Sequence, residues 1–282
     1  MSRIYATATE AANWPTGLDL QNLVPDGSSP EQTAQLQAVL GAASSYVEQI
    51  TYQPLYARNV TEVAGDSRSD GSGRLRVRLR SFPATQVLAV QRQQNTATGW
   101  TNIPPANVHI TGALRQGYYA DDIDYRAYSG WGNPPWLVAT QYISGYPNAL
   151  LTANCVQGAT TLQVDDATGM TGATTLGDLT LPGTALTIYD AANLASEDVL
   201  VLSVSGDTVT LAAPTAYGHA AGVRVSALPP AISTASIYLA AWMIKERRAG
   251  GGSLMTGQVL PADGGVDLEM ARQLLLPFRR VV

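Results

Sequence analysis

Two stretches of helical period stand at opposite ends of this chain, and between them the apolar residues recur mainly at every second position. The first stretch is Leu36, Val39, Leu40, Ala43, Tyr46, Val47 and Ile50; the second is Ile232, Ala235, Ile237, Tyr238, Ala241, Trp242 and Ile244. Each spacing lays apolar side chains along one face of an α-helix, and such a face has to be covered. The pattern predicts a helical base interrupted by β structure.

The first helix is predicted to run from Ser29 to near Thr51, with Ser29, Pro30 and Gln32 as N-cap, first-turn proline and capping-box partner, and to stop before Pro54. The second follows Pro229-Pro230 and closes on Lys245, Glu246, Arg247 and Arg248, whose cations suit the negative end of a helix. Ala249 to Ser253 reads as a flexible glycine hinge. A last short helix is predicted over Asp267 to Leu276, with Leu268, Ala271, Leu274 and Leu275 inward and Pro277 as its stop. Residues 1–28, polar and broken by Pro15, Pro25 and Gly27, form an N-terminal arm that orders either against a partner or along its own domain.

The intervening chain divides in two. Asn59 to Val63, Arg74 to Leu79, Val87 to Arg92, Val108 to Thr111 and Leu137 to Ile143 are predicted strands of an antiparallel β region. Arg74, Arg76, Arg78 and Arg80 alternate with apolar residues and so share one face, either solvated or turned to another subunit. Residues 148–227 contain no lysine and are dominated by Ala, Thr, Gly and Val. Thr160 to Val164, Ala185 to Tyr189, Asp198 to Val204, Thr208 to Leu211 and Val223 to Ser226 read there as strands of an independent small barrel or sandwich, with Ser205-Gly206-Asp207 closing a hairpin.

With 282 residues, 45% of them hydrophobic, more than one module is expected. Charged residues make up only 14%, against roughly 25% in an ordinary soluble domain. A surface so poor in charge suits a subunit packed against copies of itself. The net charge of -5 argues against gripping nucleic acid by its phosphates. Cys155 is the only cysteine, which removes intrachain disulfides, structural zinc sites and CxxC redox pairs from consideration. The N-terminal residues lack the pattern of a signal peptide and no long apolar run occurs, so a cytoplasmic protein is expected.

Signatures of catalysis are missing. Neither His109 nor His219 stands in a pattern with a nucleophile, and GxSxG, HExxH, Walker A and GxGxxG motifs are absent. His219 is expected in a turn. Asp121, Asp122 and Asp124 form an acidic cluster without the spacing of a calcium loop, and read as a solvated loop. Tyr118, Tyr119, Tyr125, Tyr128, Trp131 and Trp136 crowd one stretch and serve packing, or a glycan or base surface. No catalytic residue, cofactor or metal is expected.

If residues 148–227 are set aside, Gln141-Tyr142-Ile143-Ser144-Gly145-Tyr146-Pro147 runs on into Leu228-Pro229-Pro230-Ala231-Ile232 and a helix. That join resembles the head-tail adaptor, or connector, family of long-tailed bacteriophages. The helix from Ser29 to Ile50, Phe82-Pro83 before Val87-Leu88-Ala89-Val90, and the closing Leu274-Leu275-Leu276-Pro277-Phe278-Arg279-Arg280 are similar to it as well. The resemblance implies an α+β fold with a helical adaptor core of residues 29–147 and 228–282, containing the antiparallel β region and carrying 148–227 as an inserted all-β domain. Modules like that insert recur in phage structural proteins.

The family further implies a virion neck location and assembly in the bacterial host's cytoplasm, as a ring usually of twelve copies. The ring sits between the portal protein and a stopper or tail protein, and genomic DNA passes through its lumen without sequence-specific binding. By position, Phe278, Arg279 and Arg280 would dock on the portal, unless they form only a frayed basic terminus. Arg74, Arg76 and Arg78 are further interface candidates. Two other readings stand beside this one: another neck or tail part, such as a stopper, tail terminator or minor tail protein, and a glycan-binding or hydrolytic accessory protein built on the same β insert.

Overall fold

The computed structural model describes residues 4–15, 23, 27–67, 74–81, 83–93, 99–104, 108–111, 122–126, 136–176, 179–248 and 266–279. They fall into two units, Met1–Pro54 with Asn148–Val282, and Leu55–Pro147. The chain begins with a capping box that the sequence reading passed over. Thr7 N–H donates to Glu10 Oε2 at 2.6 Å and Glu10 N–H to Thr7 Oγ1 at 3.2 Å, which starts helix α1 (Ala8–Asn13). Over Ile4–Pro15, then, the expected arm is laid on its own chain. Tyr5 is fully buried, its N–H donating to Ser44 Oγ at 3.0 Å and its hydroxyl to Glu48 Oε1 at 2.8 Å.

Helix α2 (Ser29–Thr51) has the expected extent, but its cap is Ser28 and its box partner Glu31, not Ser29 and Gln32. Glu31 Oε2 accepts from Ser28 N–H at 2.6 Å and Ser28 Oγ at 2.8 Å. A carboxylate serves better than an amide there, because it also faces the positive end of the helix. Leu36, Leu40, Ala43 and Val47 form the buried stripe.

The unit Leu55–Pro147 holds β1 (Arg58–Ser67), β2 (Arg74–Arg78), β3 (Ala84–Gln93), β4 (Thr101–Asn102), β5 (Val108–Thr111), β6 (Asp122–Arg126) and β7 (Trp136–Ser144). They pair antiparallel in two sheets, ordered β1-β7-β3-β4 and β2-β6-β5. Leu79, Ala84, Val90, Ile103, Val138 and Tyr142 make the core. Asp122 and Asp124, expected in a loop, lie on β6, opposite Arg78 and Arg76 of β2. The period of two in Asp122-Ile123-Asp124-Tyr125 was a strand signal hidden under its acidic character. The unit's ends meet, since Tyr146 N–H donates to Leu55 O at 2.8 Å and Ala57 N–H to Tyr146 O at 2.7 Å. Only glycine fits at this closure: Gly145 has φ +99°, and a Cβ there would lie 2.1 Å from Tyr56 O.

Asn148 opens the β module: β8 (Asn148–Leu150), β9 (Thr161–Gln163), β10 (Thr174–Leu176), β11 (Leu179–Leu181), β12 (Ala185–Tyr189), β13 (Glu197–Ser205), β14 (Thr208–Leu211) and β15 (Arg224–Ser226). Six of them form one antiparallel sheet, β8-β15-β12-β13-β14-β9, while β10 and β11 make a separate hairpin. A bridge between Leu151 and Val164 joins the two edge strands, so the sheet curls on itself. Leu162, Leu186, Ile188, Val201, Val209 and Val225 fill the interior. This module also closes where it opened, Asn148 standing opposite Ser226.

Pro230 then starts α3 (Pro230–Arg248), followed by α4 (Val266–Leu275) and a 3₁₀ turn, Leu276–Phe278. The periodicity predicts an apolar stripe on α3, yet Ile232, Ala235, Ser236, Ile237 and every residue from Leu239 to Ile244 are buried, so the helix is enclosed on all sides. Small residues allow α2 to approach it: Ser44 Oγ and Ser236 Oγ lie 3.4 Å apart, and Tyr46 stacks on Trp242 at 6.3 Å. The chain is thus a mixture of helices and antiparallel sheets, one of them curled. No helix among the described residues is long and apolar enough to cross a membrane.

One buried ion pair ties α1 to the module. Arg224 donates from Nη2 to Glu10 Oε1 at 2.6 Å and from Nε to Glu10 Oε2 at 3.0 Å, with its guanidinium 4.0 Å from the centre of the Tyr189 ring. Removing one member leaves an uncompensated charge in the interior. Glu10→Ala is expected to destabilise the unit by about 3–5 kcal/mol in denaturant titration. The double replacement Glu10→Leu with Arg224→Met is expected to fall well short of that loss.

Candidate interaction surface

The C-terminal turn sits on the end of α2. Helix α4 buries Leu268, Ala271 and Leu275, and Pro277 ends it because a proline cannot donate the next helical hydrogen bond. The resulting 3₁₀ turn swings Leu276 outward, where it is 61% exposed. Phe278 is half-buried, and its carbonyl accepts from Gln53 Nε2 at 3.2 Å. Arg279 is exposed, donates from Nη2 to Tyr52 Oη at 3.0 Å and holds its guanidinium 5.0 Å from the centre of the Tyr52 ring. Tyr52 presents that ring from the left-handed C-cap of α2, φ 56°, with its N–H donating to Glu48 O.

Together these side chains border a groove of about 450 Å³, lined by Tyr46, Ile50, Tyr52, Arg272, Leu276 and Arg279 among others. Apolar Ile50 and Leu276 stand there beside the guanidinium groups of Arg272 and Arg279, with Glu269 also in the lining, so the groove can take an apolar side chain together with a carboxylate. Of the three C-terminal residues singled out from sequence, Phe278 and Arg279 are placed here and Arg280 lies outside the described residues. Leu276 and Tyr52 were missed. The signal for Leu276 was its position just before the helix-stopping Pro277; Tyr52, across the chain from its partner, carried none. Arg74, Arg76 and Arg78 lie in the other unit, on β2, opposite Arg126, Asp124 and Asp122.

The second concentration of charge is His219, which the sequence places in a turn but which forms an isolated antiparallel bridge with Cys155 and is buried there. Its Nδ1 is 3.1 Å from Asp190 Oδ2 and its Nε2 is 2.7 Å from Glu197 Oε1. Burial acts to raise the Asp190 carboxyl, but hydrogen bonds from Asn193 and His219 outweigh it and hold the group below its ordinary range. Glu197 is held low in the same way, burial opposing, by Ala216 N–H, His219 and Tyr217 N–H.

This bracket fastens three connections of the module to one another. Cys155 and His219 also exchange backbone hydrogen bonds at 2.8 and 2.7 Å, and Cys155 is itself buried. With both nitrogens engaged and the ring enclosed, the arrangement is a staple. Asp190 and Glu197 were invisible as partners in the sequence, being 29 and 22 residues from His219. His109 lies on β5 opposite Asp124. Asp121, Tyr118, Tyr119, Tyr128, Trp131 and Gly250 to Gly252 lie outside the described residues. Among those described, no group of three potential ligands could hold a metal.

Comparison with models of known protein families, with curated proteins and with solved structures finds no match.

Because the folded-state pKa values of Asp190 and Glu197 lie below the unfolded ones, their contribution to stability is present above about pH 4 and disappears as pH falls through the folded values. Thermal melts between neutral pH and pH 3 are expected to fall less steeply for Asp190→Asn than for the natural protein. His219→Ala leaves two facing carboxylates and is expected to lower the melting temperature most at neutral pH.

Proposed function

We propose that this chain is a non-enzymatic structural protein of a phage neck, a head-tail adaptor whose copies close into a ring between the portal and the stopper or tail. The observation that carries the reading is the C-terminal turn: Leu276 and Arg279 are exposed side by side at the end of two packed helices, in the segment that resembles the portal-docking end of that family. An apolar anchor next to an arginine already steadied by Tyr52 is the composition of an interface hot spot, with part of its ordering entropy spent before binding.

The β module fits the same reading as a guest. Its first and last strands pair with each other, so it leaves and rejoins the chain at one place. A low charge density and a net charge of -5 agree with a subunit that packs against copies and lets DNA pass without holding it.

The test is to mix the purified protein with isolated portal and view the product by negative-stain microscopy. A ring seated on the portal supports the adaptor; attachment to tail tubes alone replaces it with a terminator or tail part. The double variant Leu276→Glu with Arg279→Glu is expected to lose portal binding. Its unfolding free energy is expected to stay within about 0.5 kcal/mol per substitution of the natural protein, because both side chains are at the surface.

A further inference from the structure

Among the described residues, two leucines on the outward face of β13 are left uncovered. Leu200 and Leu202 are 40% and 52% exposed on a strand that is paired on both sides. Carboxylates rim the pair, since Asp198 on the same strand and Asp207 in the following turn are both exposed. Residues 148–227 hold seven acidic residues, no lysine and one arginine, and that arginine is buried against Glu10. The module therefore presents apolar and anionic groups and offers no exposed ammonium or guanidinium of its own.

Residues 55–147 have the opposite balance, nine arginines against six acidic residues. Their described surface includes exposed Leu88, Val63 and Arg80. An apolar patch rimmed by anions and a unit of net positive sequence charge that exposes Val63, Leu88 and Arg80 complement each other, both in what they desolvate and in what they steer together.

We propose that the β13 face of the module docks on the arginine-bearing unit Leu55–Pro147 of a second copy, head to tail. Two different surfaces meet in such a contact, so it is heterologous and closes into a ring when the rotation between copies permits. The proposal rests on the self-assembling reading above and names the faces that would make the contact.

Charge exchange tests it. Two variants are made, Asp198→Arg with Asp207→Arg in the module, and Arg58→Glu with Arg80→Glu in the other unit, with circular dichroism melts to show that both are folded. Mass photometry then follows assembly from about 50 to about 500 mM salt, a range over which screening of exposed charges tightens severalfold. The natural chain is expected to assemble, and less so as salt rises. Either variant alone is expected to assemble at least tenfold more weakly, and an equimolar mixture to recover, because each altered face then meets an opposite charge on the other variant. Leu200→Ser with Leu202→Ser is expected to abolish assembly at every salt concentration. If the natural chain assembles and the variants do so equally well, or if the mixture fails to recover, this contact is wrong and the ring reading stands. If the natural chain stays monomeric at all concentrations, alone and with portal, the ring reading fails and takes the contact with it.

Discussion

Each of the two β excursions in this chain returns beside its point of departure, and the packing of the helices depends on that. Leu55 and Tyr146 are hydrogen-bonded across the first closure, and Asn148 stands opposite Ser226 at the second. A folded excursion with adjacent ends acts on the rest of the chain as a short link, whatever its length, because its closure entropy has already been met by its own core. Helix α2 can therefore neighbour α3 as though the two were consecutive. The Ser44–Ser236 approach and the Tyr46–Trp242 stack are the direct result.

Local chemistry was the legible part of the sequence. Apolar spacing and proline placed α2, α3 and α4 to within a few residues, and β-branched runs located strands such as β12, β13 and β14. Where two local signals competed, the more conspicuous one misled. Asp122-Ile123-Asp124 drew attention as an acidic cluster and hid strand β6, while Thr7-Ala8-Thr9-Glu10 sat unread inside a segment that looked irregular. In the C-terminal turn the sequence marked Phe278 and Arg279, but the side chain that steadies Arg279 is Tyr52, far away along the chain. The same holds for the staple around His219: carboxylates distant in sequence become its partners only once β12 and β13 are in register. Period and capping are properties of neighbours, whereas register and long-range pairing belong to the whole fold.

A chain with so few charges has placed several of them inside. Arg224 with Glu10 and His219 with Asp190 and Glu197 are enclosed pairs, and such pairs add modestly to stability while punishing any arrangement that leaves a member alone. They discriminate between packings. In the module they hold the connections at one end of the curled sheet, and at its last strand they hold the start of the chain.

The pairing of Glu10 with Arg224 also sets an order of events during synthesis. Helix α1 leaves the ribosome well before its counter-charge, which lies 214 residues later. Until β15 emerges, Glu10 lacks its counter-charge, although Tyr5 can already pack on α2. Helix α1 thus makes its buried pair only after the module's last strand, and that pairing marks a chain whose module is already translated and closed.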